Sequence, residues 1–334
     1  MFPFTAIVGQ EEMKTGLILN VIDPSIGGLL IMGEKGTAKS TAVRALAALL
    51  PEFTAIDGCR FHCAPDGPFC GECQQKHRGP ASQTMKRQMR VVELPLGVTE
   101  DRLVGTLDIE QAIRKGEKHF EAGLLADANR NFLYVDEVNL LEDHIVDLLL
   151  DSAAMGVNTV EREGISFTHP AKFMLVGTMN PEEGDLRPQL LDRFGLCSRV
   201  VAVRDKQQRV EILRRKAAYD DNPEGMISRW AEPQLKLAAQ IVAAHARLSA
   251  IEVNDHALDK IVHISSELAL DGHRADIVMM KTSRALTAFR EKGQIGIEEI
   301  RDSARLALSH RMKRLPFEEV GAEVGKLEQI LAAL

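Results

Sequence analysis

Eight consecutive residues, Gly33-Glu34-Lys35-Gly36-Thr37-Ala38-Lys39-Ser40, have the composition of a loop that holds phosphates. They directly follow an apolar stretch, Leu29 to Met32, and directly precede a run with helical spacing. In that strand-loop-helix context, successive backbone N–H groups and a helix N-terminus make an anion site. Lys39 is expected on the β- and γ-phosphates. Ser40 is expected to give its hydroxyl to Mg²⁺, a hard cation that takes oxygen ligands and keeps several waters. Thr41 continues the same run of nucleotide contacts. A glycine-rich turn ahead of an ordinary helix is the plainer reading, and the strand and helix on either side argue against it. Ala38 stands where many such loops have glycine; its methyl is tolerated there on condition that φ is negative.

An acidic pair, Asp136-Glu137, ends the apolar run Phe132 to Val135. Carboxylates at the C-terminal end of a buried strand lie where open α/β sheets bind ligands. Asp136 can hold Mg²⁺ through water, and Glu137 can polarise an attacking water. One acidic pair alone is as commonly a helix cap or a solvated edge. Behind a phosphate loop, and in this order, it points to nucleoside triphosphate hydrolysis. A further run, Phe173 to Val176, leads into Gly177-Thr-Met-Asn180-Pro181. Asn180 is expected beside the acidic pair, its amide orienting the water; a turn-forming Asn-Pro is the alternative.

The third constellation is Cys59, Cys63, Cys70 and Cys73, within the segment 58–79, which has few apolar residues. Four thiolates this close can close a tetrahedral structural zinc site, and all-thiolate ligation also suits an iron–sulfur cluster. Zinc fits the spacing better, and a metal would supply the ordering energy that the segment cannot draw from a core of its own. His62 and His77 are spare ligands should one cysteine drop out, and free or oxidisable thiols are the alternative. Cys197 is expected to be a small core residue.

The elements that must position these groups follow from the apolar pattern. Short unalternated runs at Leu29–Met32, Val91–Leu94, Phe132–Val135, Phe173–Val176 and Val200–Val203 read as parallel strands buried on both faces. Helical spacing lies between them, at Ser40–Leu50 and Leu141–Ala154. This alternation predicts a doubly wound parallel α/β sheet. Two stretches interrupt it: Gly97–Leu125, with a short helical pattern at Asp108–Lys115, and Asn158–His169, which reads as a hairpin turning at Glu163-Gly164. From Asp205, a plausible N-cap, helices are expected at Lys206–Ala218, Glu232–Leu248, His256–Leu268, Ala275–Lys292, Ile297–Arg311 and Val320–Ala333. The chain therefore divides into an α/β domain over 1–204 and an all-helical domain over 205–334.

Composition narrows the function. The 334 residues are 45% hydrophobic and 27% charged, average for a globular protein, which excludes disordered and fibrous classes. A net charge of −7 argues against a global field for nucleic acid, and 4% aromatic content argues against stacking platforms for single strands. The N-terminus lacks a secretion signal and no apolar run reaches transmembrane length, so a cytoplasmic protein without a membrane anchor is expected.

With these residues in place, the chain resembles an AAA+ ATPase and, more closely, the I subunit family of magnesium chelatase. The resemblance runs through Ile7-Val-Gly-Gln10, the loop 33–40, Leu94-Pro-Leu-Gly-Val-Thr-Glu-Asp-Arg-Leu-Val-Gly105 and Leu133-Tyr-Val-Asp-Glu-Val-Asn-Leu-Leu-Glu-Asp-His-Ile-Val-Asp147. It continues in Asn180-Pro-Glu-Glu-Gly-Asp-Leu-Arg-Pro-Gln-Leu-Leu-Asp-Arg-Phe-Gly195 and Ala307-Leu-Ser-His-Arg311. It implies an AAA+ module followed by a helical lid, and a homo-oligomeric ring, hexameric by family pattern, with ATP and Mg²⁺ between neighbouring subunits. By the same resemblance Val8, Gly9 and Gln10 would lie against adenine, Asn180 would be the first sensor, Arg193 an arginine finger and Arg274 the second sensor. Arginine suits both phosphate roles because its charge persists and its fork matches phosphate oxygens. The plainer readings are an ion pair of Arg193 with Asp192 or Asp185, and a solvated Arg274 at a helix start. The two interruptions resemble a helix-two insert and a pre-sensor hairpin. Implied partners are a D-type subunit with an integrin-like domain and a large porphyrin-binding H-type subunit, and the implied activity is ATP-driven metal insertion into a tetrapyrrole, here protoporphyrin. Alternatives are an ATPase serving cobalt or nickel insertion, a MoxR-like chaperone and, from another class, a nucleic-acid motor.

Overall fold

The computed structural model describes residues 1–34, 36–76, 78–108, 119–162, 165–184, 186–312 and 322–334. The chain forms two compact units, one comprising Met1 and Ser40–Thr178, the other Phe2–Lys39 and Met179–Leu334.

The parallel strands run in the order β10-β7-β4 in the first unit and β11-β1 in the second, where β1 is Leu29–Gly33, β4 Val91–Leu94, β7 Phe132–Val135, β10 Met174–Met179 and β11 Leu196–Val200. In the first unit β7 lies between β4 and β10, parallel to both, with Phe132 opposite Val91 and Met174. In the second unit β1 and β11 are parallel, from Leu29 opposite Leu196 to Gly33 opposite Val200. Continuous apolar strands form because both faces are covered: Leu29, Leu30 and Ile31 are fully buried, as are Phe132, Leu133 and Val135. Sequence and structure agree at β4 and β7. The run Phe173–Val176 becomes a longer strand shifted to Met174–Met179. The strand expected at Val200–Val203 is displaced: it runs Leu196–Val200, and Val201 is 70% exposed. At the edge of the sheet β11 has one strand neighbour, so the exposed Arg199 is accommodated where an interior strand would exclude it.

Three small antiparallel pairs complete the first unit: β2 (Phe53–Ile56) with β3 (Thr84–Arg87), β5 (Gly105–Asp108) with β6 (His119–Ala122), and β8 (Val157–Arg162) with β9 (Ile165–Pro170). The last is the expected hairpin, with Asn158 opposite His169; its turn at 163–164 lies outside the described residues. The first two pairs are not apparent in the sequence. Asp108 closes β5 rather than opening a helix, and 109–115 of the expected helical pattern lie outside the described residues.

The second unit carries the C-terminal helices Lys206–Asp221, Pro223–Arg229, Ala231–Arg247, Asp255–Glu267, Arg274–Phe289, Ile297–Leu308 and Ala322–Ala333. Asp205 caps the first of them, accepting from the backbone N–H of Gln208 at 2.8 Å. The short helix Pro223–Arg229, capped by Asn222, is an addition to the expected set. Among the described residues no helix is long and apolar enough to cross a membrane.

Candidate active site

β1 delivers the phosphate loop. A Cβ on Gly33 would lie 2.2 Å from the carbonyl oxygen of Val200, so only glycine lets β1 and β11 keep register up to the first residue of the loop. Gly36 has open space around it and is required for its backbone, at φ +82°. Ala38 is also left-handed, at φ 61°, which overturns the condition under which the sequence tolerated its methyl. An L-residue there carries about 1–2 kcal/mol of strain from Cβ against the following carbonyl. The Thr37 hydroxyl donates to the Glu34 carbonyl at 2.9 Å and closes the loop. The Lys39 ammonium is folded over the same loop, donating to the carbonyls of Gly33 at 2.5 Å and Glu34 at 3.1 Å. Lys39, Ser40 and Thr41 open the helix Lys39–Leu49 and are half-buried. Lys35 lies outside the described residues.

Val8, Gly9 and Gln10 precede the helix Glu11–Ile22, and Gln10 is its left-handed N-cap. The Gln10 amide donates to the Val201 carbonyl at 3.0 Å, and a Cβ on Gly9 would face Val203 and Gln208. The loop 8–10 therefore rests on the segment that leads from β11 into the helix Lys206–Asp221.

At the end of β7 the Asp136 carboxylate is pinned. One of its oxygens, Oδ1, accepts from the Tyr134 hydroxyl at 3.0 Å and from the Thr178 hydroxyl at 2.6 Å. Thr178 in turn accepts the backbone N–H of Glu137 at 3.1 Å. Burial, reinforced by the neighbouring carboxylate, pushes the Tyr134 phenol well above its usual range, so it remains a donor. Glu137 sits at φ 51°, a left-handed backbone of the kind that clusters at functional sites. Tyr134 and Thr178 were not singled out from the sequence. Strand alternation, which puts the residue two before Asp136 on the same face, was the signal for Tyr134; Thr178 comes from the neighbouring strand β10 and has no such local signal.

Asn180 belongs to the second unit and is 7% exposed. Its Oδ1 accepts from the backbone N–H of Glu182 at 3.3 Å, so the turn-forming role is present whatever else the amide does. Arg193 is the half-buried last residue of the helix Pro188–Arg193. Its neighbour Asp192 is shared by two arginines: Arg274 donates to Oδ2 at 3.0 Å and Arg311 to Oδ1 at 3.0 Å. Arg274 is thus half-exposed but paired, not simply solvated. Asp185, the other partner considered for Arg193, lies outside the described residues. Arg311, unassigned by the sequence reading, has a side chain only 3% exposed. It also donates to the carbonyls of Asp192, Phe194 and Gly195 at 2.6 to 3.0 Å, and so staples the turn that carries Arg193.

Residues 108–202 match the family described as magnesium chelatase, subunit ChlI, and residues 258–330 match the AAA lid domain. A magnesium-chelatase subunit ChlI homolog of Methanocaldococcus jannaschii is 52% identical over 331 residues, covering 99% of this chain and 91% of the relative. The chain belongs to the magnesium-chelatase ChlI subunit family. The magnesium-chelatase 38 kDa subunit of Cereibacter sphaeroides is 49% identical over 332 residues, covering 99% of this chain and 98% of the relative. Among solved structures, the complex between subunits BchI and BchD of magnesium chelatase, from a cryo-EM reconstruction, matches with 46% identity and a TM-score of 0.55, covering 99% of each chain. The fold is accordingly an AAA+ α/β module with a helical lid, and the ChlI family chain is the AAA+ ATPase type of chelatase subunit.

A second candidate site in this ChlI family chain is the cysteine cluster. Cys59, Cys63, Cys70 and Cys73 are all buried, and their Sγ atoms lie within 4.8 Å of one another. The Sγ atoms of Cys59 and Cys70 are 3.8 Å apart, far beyond the length of a disulfide. Neighbouring thiols hydrogen-bond to Cys59 and hold it far below the usual thiol range, while the same contacts push Cys63 up and burial pushes Cys73 up to about 12. Four buried thiols that converge in this way are the donor set of a structural metal site, where a bound cation offsets their ionisation. His62 is buried beside the cage but is not part of the converging set, and its imidazole is held neutral by burial. His77 lies outside the described residues. Cys197 is the core residue expected: it is 1% exposed, and its thiol is pushed up to about 12 by burial.

Proposed function

We propose that this chain hydrolyses ATP as one subunit of a ring, hexameric as in the family pattern, in the cytoplasm. The α/β module over 1–204 and the lid over 205–334 form its nucleotide site together with a neighbouring copy. The cycle drives a D-type subunit and a porphyrin-binding H-type subunit that insert a divalent metal into a tetrapyrrole. The observation that carries this reading is the pinned Asp136 at the end of β7, in a chain that also presents a phosphate loop at the end of β1. The left-handed Gly36 and the donors Lys39, Ser40 and Thr41 fit a triphosphate, whose oxygens would replace loop carbonyls as the partners of Lys39. Ser40 and Asp136 would hold Mg²⁺, which when bound supplies neutralising charge on the phosphate oxygens.

Each residue then has a distinct task. The hydroxyls of Tyr134 and Thr178 keep one oxygen of Asp136 occupied and leave the other to face the metal. Glu137 accepts a proton from the attacking water, Asn180 orients that water, and Val8, Gly9 and Gln10 lie along the base. Arg193 reaches the γ-phosphate bound to the next subunit. Arg274 does so within its own chain, once it exchanges Asp192 for phosphate. The BchI–BchD complex supports a D-type partner. The cofactor reading also includes a metal at Cys59, Cys63, Cys70 and Cys73, as zinc or an iron–sulfur group.

The test combines the purified chain with D- and H-type chelatase subunits, protoporphyrin, ATP and Mg²⁺, and follows metalloporphyrin fluorescence. Insertion that requires both ATP and this chain is the expected result. ATP turnover without insertion of magnesium, cobalt or nickel would replace this reading with that of a MoxR-like remodelling ATPase. Retention of DNA on a filter at moderate salt would replace it with a nucleic-acid motor.

A further inference from the structure

Between the first two cysteines lies Arg60-Phe61-His62, a short arch held through two carbonyls, the Phe61 ring and the Arg60 guanidinium. The Phe61 carbonyl accepts the Asn129 amide at 2.6 Å, and the His62 carbonyl accepts Arg130 at 3.3 Å. The Phe61 ring is fully buried and stacks on His169 of β9 at 4.7 Å. It also lies 6.3 Å from Phe120 of β6 and 6.1 Å from Phe167 of β9, which stack on each other at 4.1 Å. Arg60 bridges outward from the arch. Its guanidinium pairs with Glu72, between the last two cysteines, and donates to the Phe120 carbonyl at 2.8 Å. One side of the arch is therefore the cysteine cage, and the other is the meeting point of the β5–β6 and β8–β9 hairpins.

The geometry points to a single tetrahedral zinc ion held by Cys59, Cys63, Cys70 and Cys73 that locks this arch and so clamps the two hairpins against each other. The inference rests on the reading of the cluster as a metal site and adds the identity of the metal and its mechanical consequence. Four thiolates on one zinc, at about 2.3 Å each, stand about 3.8 Å apart along a tetrahedral edge, which is the separation of Cys59 and Cys70. In a cluster with several irons the thiolates are spread over different metal atoms, whereas here all four sulfurs lie within 4.8 Å of one another. The backbone N–H of Cys70 donates to Cys63 Sγ at 3.2 Å, the kind of outer-shell bond that orients a thiolate ligand. The segment lacks a core of its own, so the metal is what holds Phe61 and Arg60 in place against the hairpins.

The full chain is purified without added metal, its metal content is measured by mass spectrometry, and hydrogen exchange is compared before and after zinc release with a thiol-reactive mercurial and chelator. The expected result is one zinc per chain and no visible absorption. On release, amide exchange should quicken about tenfold or more in β5, β6, β8 and β9, with little change in the helix Ile297–Leu308. The variants Arg60→Ala and Phe61→Leu should keep the zinc and quicken exchange in the same hairpins. A chain that takes up no metal even when offered zinc under reducing conditions overturns the metal reading and the clamp with it. Iron with visible charge-transfer absorption overturns zinc. Zinc whose release leaves the hairpins unchanged, or quickens exchange equally throughout, overturns the clamp while leaving the metal site.

Discussion

Replacing Glu137 by glutamine is expected to lower steady-state ATP turnover by about 10²- to 10⁴-fold, the usual worth of a positioned general base, while nucleotide affinity stays near that of the parent chain. Glutamine keeps the size of glutamate and one acceptor oxygen, while it removes the negative charge and the ability to take a proton and turns the other oxygen into an N–H₂ donor. The backbone at this position is set by the strand end and by the N–H bond to Thr178, which the substitution leaves in place. The same hydroxyl holds Asp136, so the metal-binding side of the pair is undisturbed. Turnover is measured by phosphate release and affinity by titration with a fluorescent ATP analogue. Loss of binding together with turnover would show that the residue shapes the loop instead of acting on water.

Arg193→Ala should be almost as damaging, lowering turnover by about 10³-fold or more, the range measured for arginine fingers. The side chain sits at the end of a short helix whose following turn is fixed by Arg311 and by His310, which bonds to the Phe194 carbonyl at 3.0 Å. That anchoring suits an arginine that must be presented in one direction. If it acts on the neighbouring subunit, mixing Arg193→Ala chains with Glu137→Gln chains should restore part of the activity. Some interfaces then combine an intact Glu137 with an intact Arg193. No restoration in mixed rings would place Arg193 in its own subunit's site or outside catalysis.

How far the sequence revealed this depends on how local the determinant is. β7 was legible to the residue because a strand buried on both faces must be apolar throughout, and β4 was legible from its short apolar run although it is an edge strand that exposes Glu93. β11 was not, because an edge strand can carry Ser198 and Arg199 while the more apolar stretch beside it, from Val201, continues into a surface segment. The loop and the acidic pair were legible as contiguous strings. Tyr134 and Thr178 meet at one oxygen of Asp136 only once β7 and β10 are paired, and Arg311 meets Asp192 across 119 residues of sequence. The condition on Ala38 failed for a related reason: its φ is set by the turn the loop must make, which its own side chain does not reveal. The cysteine spacing showed that a metal could be held. That the arch between Cys59 and Cys63 packs against two hairpins more than forty residues further on could be read only from the fold.

The most direct test of the account is the ATP turnover of Lys39→Ala beside that of the parent chain, at saturating ATP and Mg²⁺. Among the described residues of the loop Gly33–Ser40, the Lys39 ammonium folds over the loop's own carbonyls, where the β- and γ-phosphates would lie. Turnover that falls to the background of the assay is the predicted result, and hydrolysis at the parent rate would contradict the assignment of this loop as the nucleotide site.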